Sequence, residues 1–161
     1  MKKDQASGGQ KIYALWNKLE SKPLGKWLFN RIIAWNIPYT GTIKAEVKQL
    51  KPGICEVVMR PRKKNTNHLR SIHAIALSNL GELASGLAMS VGLPSSVRGI
   101  VTRIDTEYLK KARGRLLARA DIEIPEVGDA AVHHTIQAKI EDEQGDQVAL
   151  VSVTWLLSPV Q

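Results

Sequence analysis

Glu82 is the side chain whose type and surroundings point most directly to chemistry. It is the only ionisable residue in an apolar segment, Ala74 to Val91, that has the residue spacing of a helix. A carboxylate in such a segment is unfavourable unless it is paired or faces a wet cleft, so Glu82 is a candidate catalytic group. The alternative is a glutamate on a solvated stripe of the helix with Ser78 and Ser85.

The start of the same helix carries groups that could act on a substrate carbonyl. The first N–H groups of a helix have no partner within it, so the amides of Ala74 and Ile75 could donate to an oxyanion. An ordinary solvent-capped helix start is the alternative. Asn67 could bind the carbonyl or position a water, or form a turn. His73 could orient the loop or act as a base, or cap the helix.

Basic side chains cluster at a predicted hairpin turn. They are Lys110, Lys111, Arg113 and Arg115, and a second cluster in an earlier loop contains Arg60, Arg62, Lys63, Lys64 and Arg70. Either cluster could make charge-assisted contacts with phosphates, and solvated surface charges are the alternative. The remaining histidines show no partnered spacing and there is no cysteine cluster, so the sequence predicts no metal site.

Two further segments precede the core of the chain. Residues 1–10 are polar with two adjacent glycines and are predicted to be a disordered leader. Over residues 11–38 apolar positions recur at helical spacing, with Pro23 interrupting and Pro38 ending the pattern, which predicts two short helices. Basic residues among their tryptophans could make them a membrane-surface element. A lid over a sheet edge or cavity is the alternative, and it is favoured by the rest of the pattern.

Alternating apolar and polar residues on both sides of the central helix predict strands. A first strand over residues 43–48 and a turn at residues 50–53 lead into a second strand, residues 54–59. Three or four strands follow without another helix, over about residues 97–109, 115–124, 132–141 and 147–157. This order predicts an α+β domain, residues 39–161, in which a curved antiparallel sheet wraps around one long central helix.

Three short segments carry a resemblance to a known family. Asn67 precedes His73, and Glu82 follows that histidine by nine residues. This order resembles the phenylacetyl-CoA-thioesterase-like branch of the hotdog-fold acyl-CoA thioesterase superfamily, with its asparagine, variable loop, His-Gly-Gly and helical Asp or Glu. Weaker matches lie at residues 107–114 and 50–53. The family's glycines are replaced here by Arg70, Ala74 and Ile75, which indicates an uncharacterised branch.

The resemblance implies a hotdog fold and hydrolysis of an acyl-CoA thioester, with coenzyme A as part of the substrate and no cofactor. It implies that the Glu82 carboxylate attacks the thioester or activates water. The substrate carbonyl would then contact Asn67, His73 and the two amides at the helix start. The phosphates of coenzyme A would be bound by Lys110, Lys111 and Arg113. A protein that binds acyl-CoA or a fatty acyl group without hydrolysing it is the alternative, because the glycines are altered.

The length of the helix predicts that two chains share this site. Ile75 and Glu82 are seven residues apart, which corresponds to about 10 Å along a helix that rises 1.5 Å per residue. One chain does not easily bring both groups to one carbonyl. The resemblance implies a homodimer, or a dimer of dimers, in which antiparallel central helices place Glu82 near the helix start of the partner.

The composition limits the function classes that remain. The chain has 161 residues and a formal net charge of +8, with Lys and Arg concentrated before about residue 72. Such a charge attracts coenzyme A, anionic lipid or nucleic acid. Nucleic acid is disfavoured, because the aromatic residues are mostly tryptophans at helical spacing. The single cysteine, Cys55, and the lack of a signal-like or membrane-spanning apolar run predict a cytoplasmic protein without a membrane span.

Overall fold

A six-stranded antiparallel sheet curves around one long helix in the computed structural model, which describes residues 7–160. The elements are α1 (Gly8–Leu19), α2 (Gly25–Asn36), α3 (Pro38–Gly41), β1 (Glu46–Lys51), β2 (Ile54–Met59), α4 (Ala74–Ser90), β3 (Val97–Tyr108), β4 (Leu116–Asp121), β5 (Val132–Glu141) and β6 (Gln147–Pro159). The strand order is β1-β2-β4-β5-β6-β3, so β1 and β3 are the edges. The predicted α+β class and hotdog architecture are confirmed.

α4 is the core helix because most of its surface is apolar and enclosed. Eleven of its 17 residues are buried. The partly open positions Ala74, Ser78, Glu82, Gly86 and Ser90 recur every four residues, so they form one stripe along the helix, which we call the open stripe. Gly81 lets the helix approach β6 closely, because a Cβ on this residue would lie 2.4 Å from the Cβ of Val151.

Gly81→Ala is expected to destabilise the fold. Overpacking against Val151 typically costs about 1–3 kcal/mol, more than the roughly 1 kcal/mol that alanine gains over glycine inside a helix. Urea unfolding should therefore show a lower midpoint than the wild type. Gly8→Ala is the control, since a Cβ on Gly8 meets no atom within 4 Å. Equal midpoints for Gly81→Ala and wild type would contradict the close approach of α4 and β6.

The chain before β1 differs from the sequence prediction in two places. α1 begins at Gly8, so the last three residues of the predicted leader are helical, and residues 1–6 lie outside the described part of the chain. A capping box explains this start: Gln10 N donates to Ser7 Oγ at 3.1 Å, and Ser7 N donates to Gln10 Oε1 at 3.0 Å. The first strand begins at Glu46 and not at residue 43, because Lys44 has a φ of +52°, which is a turn conformation.

The N-terminal helices pack on the rest of the chain through their inner faces. Trp16 of α1 and Phe29 of α2 are buried and meet edge to face, with 4.9 Å between ring centroids. Asn30 bonds the outer edge of β1, where Val47 N donates to Asn30 Oδ1 at 2.7 Å and Asn30 Nδ2 donates to the Val47 carbonyl at 3.2 Å. The inner face of α2 therefore covers a strand edge that would otherwise be open.

Cys55 lies on β2 and is fully buried. Loss of hydration raises the pKa of its thiol far above the ordinary value, and the neighbouring Glu56 carboxylate raises it further. A thiolate nucleophile is therefore not available at this position, which agrees with a structural role for the residue.

Candidate active site

Asn67 shapes the loop that leads into α4. Its Oδ1 accepts the backbone N–H groups of Leu69 at 3.0 Å and Ser71 at 3.2 Å. Arg70 has a φ of +54°, in the left-handed region that favours the glycine of the family pattern. Within residues 7–160 the Asn67 Nδ2 group has no hydrogen-bond partner. The side chain therefore forms the turn with its oxygen and leaves its amide donors for another group.

His73 is the N-cap of α4. Its Nδ1 accepts the N–H of Ile75 at 3.2 Å, and its carbonyl accepts the N–H of Ala76 at 2.9 Å. The Ile75 amide, one of the two predicted oxyanion donors, therefore already has a partner. The other, the N–H of Ala74, has none among the residues that the structure describes. His73 is thus the N-cap of α4, and its role as a base stays a prediction.

A cleft of about 380 Å³ connects the Asn67 loop, the start of α4 and the chain that follows β3. It brings together four of the predicted site residues: Asn67, Ala74, Lys110 and Lys111. His73 and Ile75 line a separate cleft of about 150 Å³. Glu82 and Arg113 line neither of these clefts. The predicted site residues of one chain therefore do not converge on one point.

The basic residues after β3 differ in how they are paired. Lys110 Nζ lies 2.7 Å from Asp142 Oδ2 and 2.6 Å from Asp146 Oδ2. Its hydrogen bonds to these carboxylates raise the pKa of Lys110, and Lys110 lowers the pKa of Asp142. Lys111 and Arg113 have no ion-pair partner within residues 7–160. Arg115 has none there either, so three of the four cations of this cluster are unpaired within these residues.

Glu82 lies in the middle of the open stripe and is half-buried. Loss of hydration raises the pKa of its carboxyl above the ordinary value, and no neighbouring positive charge offsets that rise. Ser85 is fully buried and does not share a solvated surface with Glu82, whereas Ser78 lies on the open stripe and bonds to side chains of β3. A partly desolvated, unpaired carboxylate of this kind suits acid–base chemistry.

Three residues that were not predicted as site residues border the open stripe: Thr106, Tyr108 and Trp155. Ser78 Oγ lies 2.8 Å from Thr106 Oγ1 and 3.2 Å from the hydroxyl of Tyr108. A Cβ on Gly86 would lie 3.2 Å from the Trp155 ring and 3.7 Å from Glu82 Oε1, so the ring and the carboxylate both border the space beside Gly86. Trp155 Nε1 is buried and has no hydrogen-bond partner in the described part of the chain. The one sequence signal for these residues is that they lie on predicted strands that must pack beside the buried helix.

The raised pKa of Glu82 predicts how stability depends on pH. Because the folded pKa lies above the unfolded value near 4.5, the stability linked to Glu82 is fully present below that pH and is lost as pH rises through the folded pKa. Glu82→Gln should therefore have a higher Tm than wild type at pH 7 and the same Tm at pH 4. Exposed Glu123, changed to Gln, is the control. A lower Tm of Glu82→Gln at pH 7 would contradict the burial of an unpaired charge.

A family relationship covers most of the chain. The model of a family described as a domain of unknown function, DUF4442, matches residues 25–157. The chain belongs to the DUF4442 family. No curated protein matches this DUF4442 protein.

Solved structures confirm the hotdog fold of this DUF4442 protein. The structural-genomics protein APC5556 is 26% identical, with 96% of this chain and 100% of that chain covered and a TM-score of 0.80. PA5026 from Pseudomonas aeruginosa, a probable thioesterase, is 21% identical over 81% of this chain and 93% of its own, with a TM-score of 0.74. Thioesterase HI1161 from Haemophilus influenzae is 17% identical over 75% and 82%, with a TM-score of 0.65. The fold that the resemblance implied is thereby confirmed, and the match to a domain of unknown function is consistent with the predicted uncharacterised branch of the superfamily.

Proposed function

We propose that this DUF4442 protein is a cytoplasmic acyl-CoA thioesterase whose site is shared between two chains of a homodimer. The observation that carries the proposal is Glu82, a desolvated and unpaired carboxylate on the only open stripe of the core helix. The similar proteins PA5026 and HI1161 are described as a probable thioesterase and a thioesterase, which supports the reaction class.

The chemistry assigns a separate task to each group. Glu82 takes a proton from water, whose oxygen attacks the thioester carbonyl carbon, or the carboxylate attacks that carbon directly. The carbonyl oxygen becomes an oxyanion, which the free Ala74 N–H and the Asn67 amide can stabilise as donors. The carbon–sulfur bond then breaks and the thiolate of coenzyme A leaves; in the water route it takes up the proton that Glu82 removed from water. In the direct route the acyl group is left as a mixed anhydride with Glu82, and a water then hydrolyses this anhydride, which releases the acid, frees the carboxylate and supplies the proton for the thiolate. We assign its phosphates to Lys111, which lines the same cleft as Asn67, and to Arg113.

Two chains are required because Glu82 and Ala74 are eight residues apart on one straight helix, about 12 Å at 1.5 Å per residue. The open stripe lies beside β3, an edge strand on which Ile100 and Ile104 are exposed. A second copy that lies antiparallel against this side would cover the edge strand and bring its Ala74 towards Glu82. The same contact would place the two Asn67 clefts at opposite ends of the dimer interface.

The reaction is tested with a panel of acyl-CoA esters, from acetyl to palmitoyl and including phenylacetyl. Released thiol is measured with a thiol-reactive dye, and binding is measured by calorimetry. We expect saturable thiol release from at least one ester. Tight binding of an ester without thiol release would contradict hydrolysis and favour a binding protein. Its lack of activity would then be explained by Arg70, Ala74 and Ile75, which carry side chains where the family has glycines.

A further inference from the structure

The outer face of α2 exposes large apolar side chains that the fold does not cover. The exposed fractions are 80% for Leu24, 61% for Trp27, 42% for Leu28 and 83% for Trp35. These positions lie on the side of the helix opposite Phe29 and Ile33, which are buried. Several large apolar groups concentrated on one face indicate an interaction surface.

Basic side chains flank this outer face. Two clefts of about 350 and 840 Å³ lie along α2 and share Ala34 and Lys44. Their basic lining residues are Lys26, Arg31, Lys44, Lys48, Arg62 and Lys64. Glu46 is the one acidic residue that lines them, and it is paired with Lys48. Arg31 lies over the ring of Trp27, 5.8 Å from the centroid, so positive charge and aromatic surface are adjacent.

We infer that the outer face of α2 docks on an anionic phospholipid surface, with α2 lying in the plane of the membrane interface. Tryptophan and tyrosine favour the interface between headgroups and acyl chains, and Lys and Arg are attracted to anionic headgroups. No helix within residues 7–160 is long and apolar enough to cross a membrane. The inference does not depend on thioester hydrolysis, because none of the exposed apolar residues of α2 lines a cleft of the candidate site.

Charge and shape favour lipid over two other occupants. A two-fold contact with a second copy through this face would set the basic side chains of both copies against each other, which is unfavourable. Single-stranded nucleic acid binds through aromatic rings that stack with bases along a basic groove. Here Leu28 lies between the tryptophans and Leu24 precedes them on the convex side of a helix, and such a face suits insertion among lipid chains better than base stacking.

Vesicle sedimentation tests the role of charge. The wild-type protein should bind vesicles of equimolar phosphatidylglycerol and phosphatidylcholine, and its affinity should fall as salt is raised. It should bind vesicles of phosphatidylcholine alone poorly. Arg31→Glu with Lys64→Glu should lose at least twentyfold in affinity, at about fivefold per basic side chain. The control, Lys51→Glu with Lys139→Glu, makes the same charge change on exposed residues that line neither of the two clefts and should bind like wild type. Equal loss in both variants would overturn the proposed surface.

Tryptophan fluorescence tests the role of the apolar residues. Lipids brominated on their acyl chains should quench wild type through Trp27 and Trp35, while Trp16 is only 1% exposed. Trp27→Phe with Trp35→Phe should keep binding within a few-fold and lose most of that quenching, whereas the two alanine changes should lose binding. Alanine variants that are folded by circular dichroism and still bind would overturn the inference. Binding of a single-stranded oligonucleotide through the same residues, without vesicle binding, would also overturn it.

Discussion

Glu82→Gln should lower kcat for acyl-CoA hydrolysis by about 10²–10⁴-fold, the range for loss of a positioned acid–base group, and change KM little. The amide has nearly the shape of the carboxyl group, so substrate binding should survive. The glutamine amide neither accepts a proton from water nor attacks a carbonyl, so the chemical step should be lost. Steady-state kinetics with the best ester of the panel give both constants, and the higher Tm expected of this variant at pH 7 excludes misfolding as the cause.

The pH profile of the wild type provides a second readout of Glu82. A general base or nucleophile works only when deprotonated, and desolvation raises the pKa of this carboxyl above 4.5. Activity should therefore rise with pH through that raised pKa, and the residual activity of Glu82→Gln should lack this rise. Glu123→Gln, on an exposed residue, should keep the wild-type rate and profile. Hydrolysis that is unchanged in Glu82→Gln would rule out the catalytic assignment.

Local patterns were sufficient to predict most elements of the fold. β2 and β5 have the predicted bounds, and α4 begins at the predicted Ala74, because each lies between clear breaks in the apolar pattern. The start of α1 was missed because one capping box, between Ser7 and Gln10, outweighs two glycines. The start of β1 was missed because the backbone of Lys44 turns within a pattern that alternates as a strand does.

The candidate site was predictable where it depends on the helix alone. Glu82 was found because a charge in an apolar helix is visible in the sequence. Thr106, Tyr108 and Trp155 were not, because their place beside the open stripe depends on how β3 and β6 align across α4. The pairing of Lys110 with Asp142 and Asp146 was not predictable either, because it joins residues that are distant in the sequence.

The two interpretations of the N-terminal helices apply to opposite faces of the same helix. Phe29 and Ile33 of α2 pack inwards, and Asn30 covers the edge of β1, as expected of a lid. Trp27 and Trp35 point outwards and remain exposed. Helical spacing alone does not separate these cases, because tryptophans on both faces enter the same apolar pattern. The inner face agrees with the fold, and the outer face is the surface that we propose docks on lipid.

A shared site predicts that two inactive variants restore activity when they form one dimer. Ala74→Pro is the partner for Glu82→Gln, because proline is well tolerated at the first position of a helix and removes only the N–H donor. His73 has φ −65° and ψ 139°, a conformation that proline accepts in the preceding residue. Loss of one oxyanion donor should lower kcat of Ala74→Pro by about 10²–10³-fold.

In a heterodimer of the two variants, one site combines both defects, and the other combines an intact Glu82 with an intact Ala74 amide from the opposite chain. Heterodimers isolated through two different affinity tags should therefore recover about half of the wild-type rate, since one of two symmetric sites is complete. Dimers of two differently tagged Glu82→Gln chains are the control and should stay inactive. Heterodimers no more active than their parents would show that each chain works alone, because only a site that draws Glu82 and the helix start from different chains can be rebuilt by pairing them.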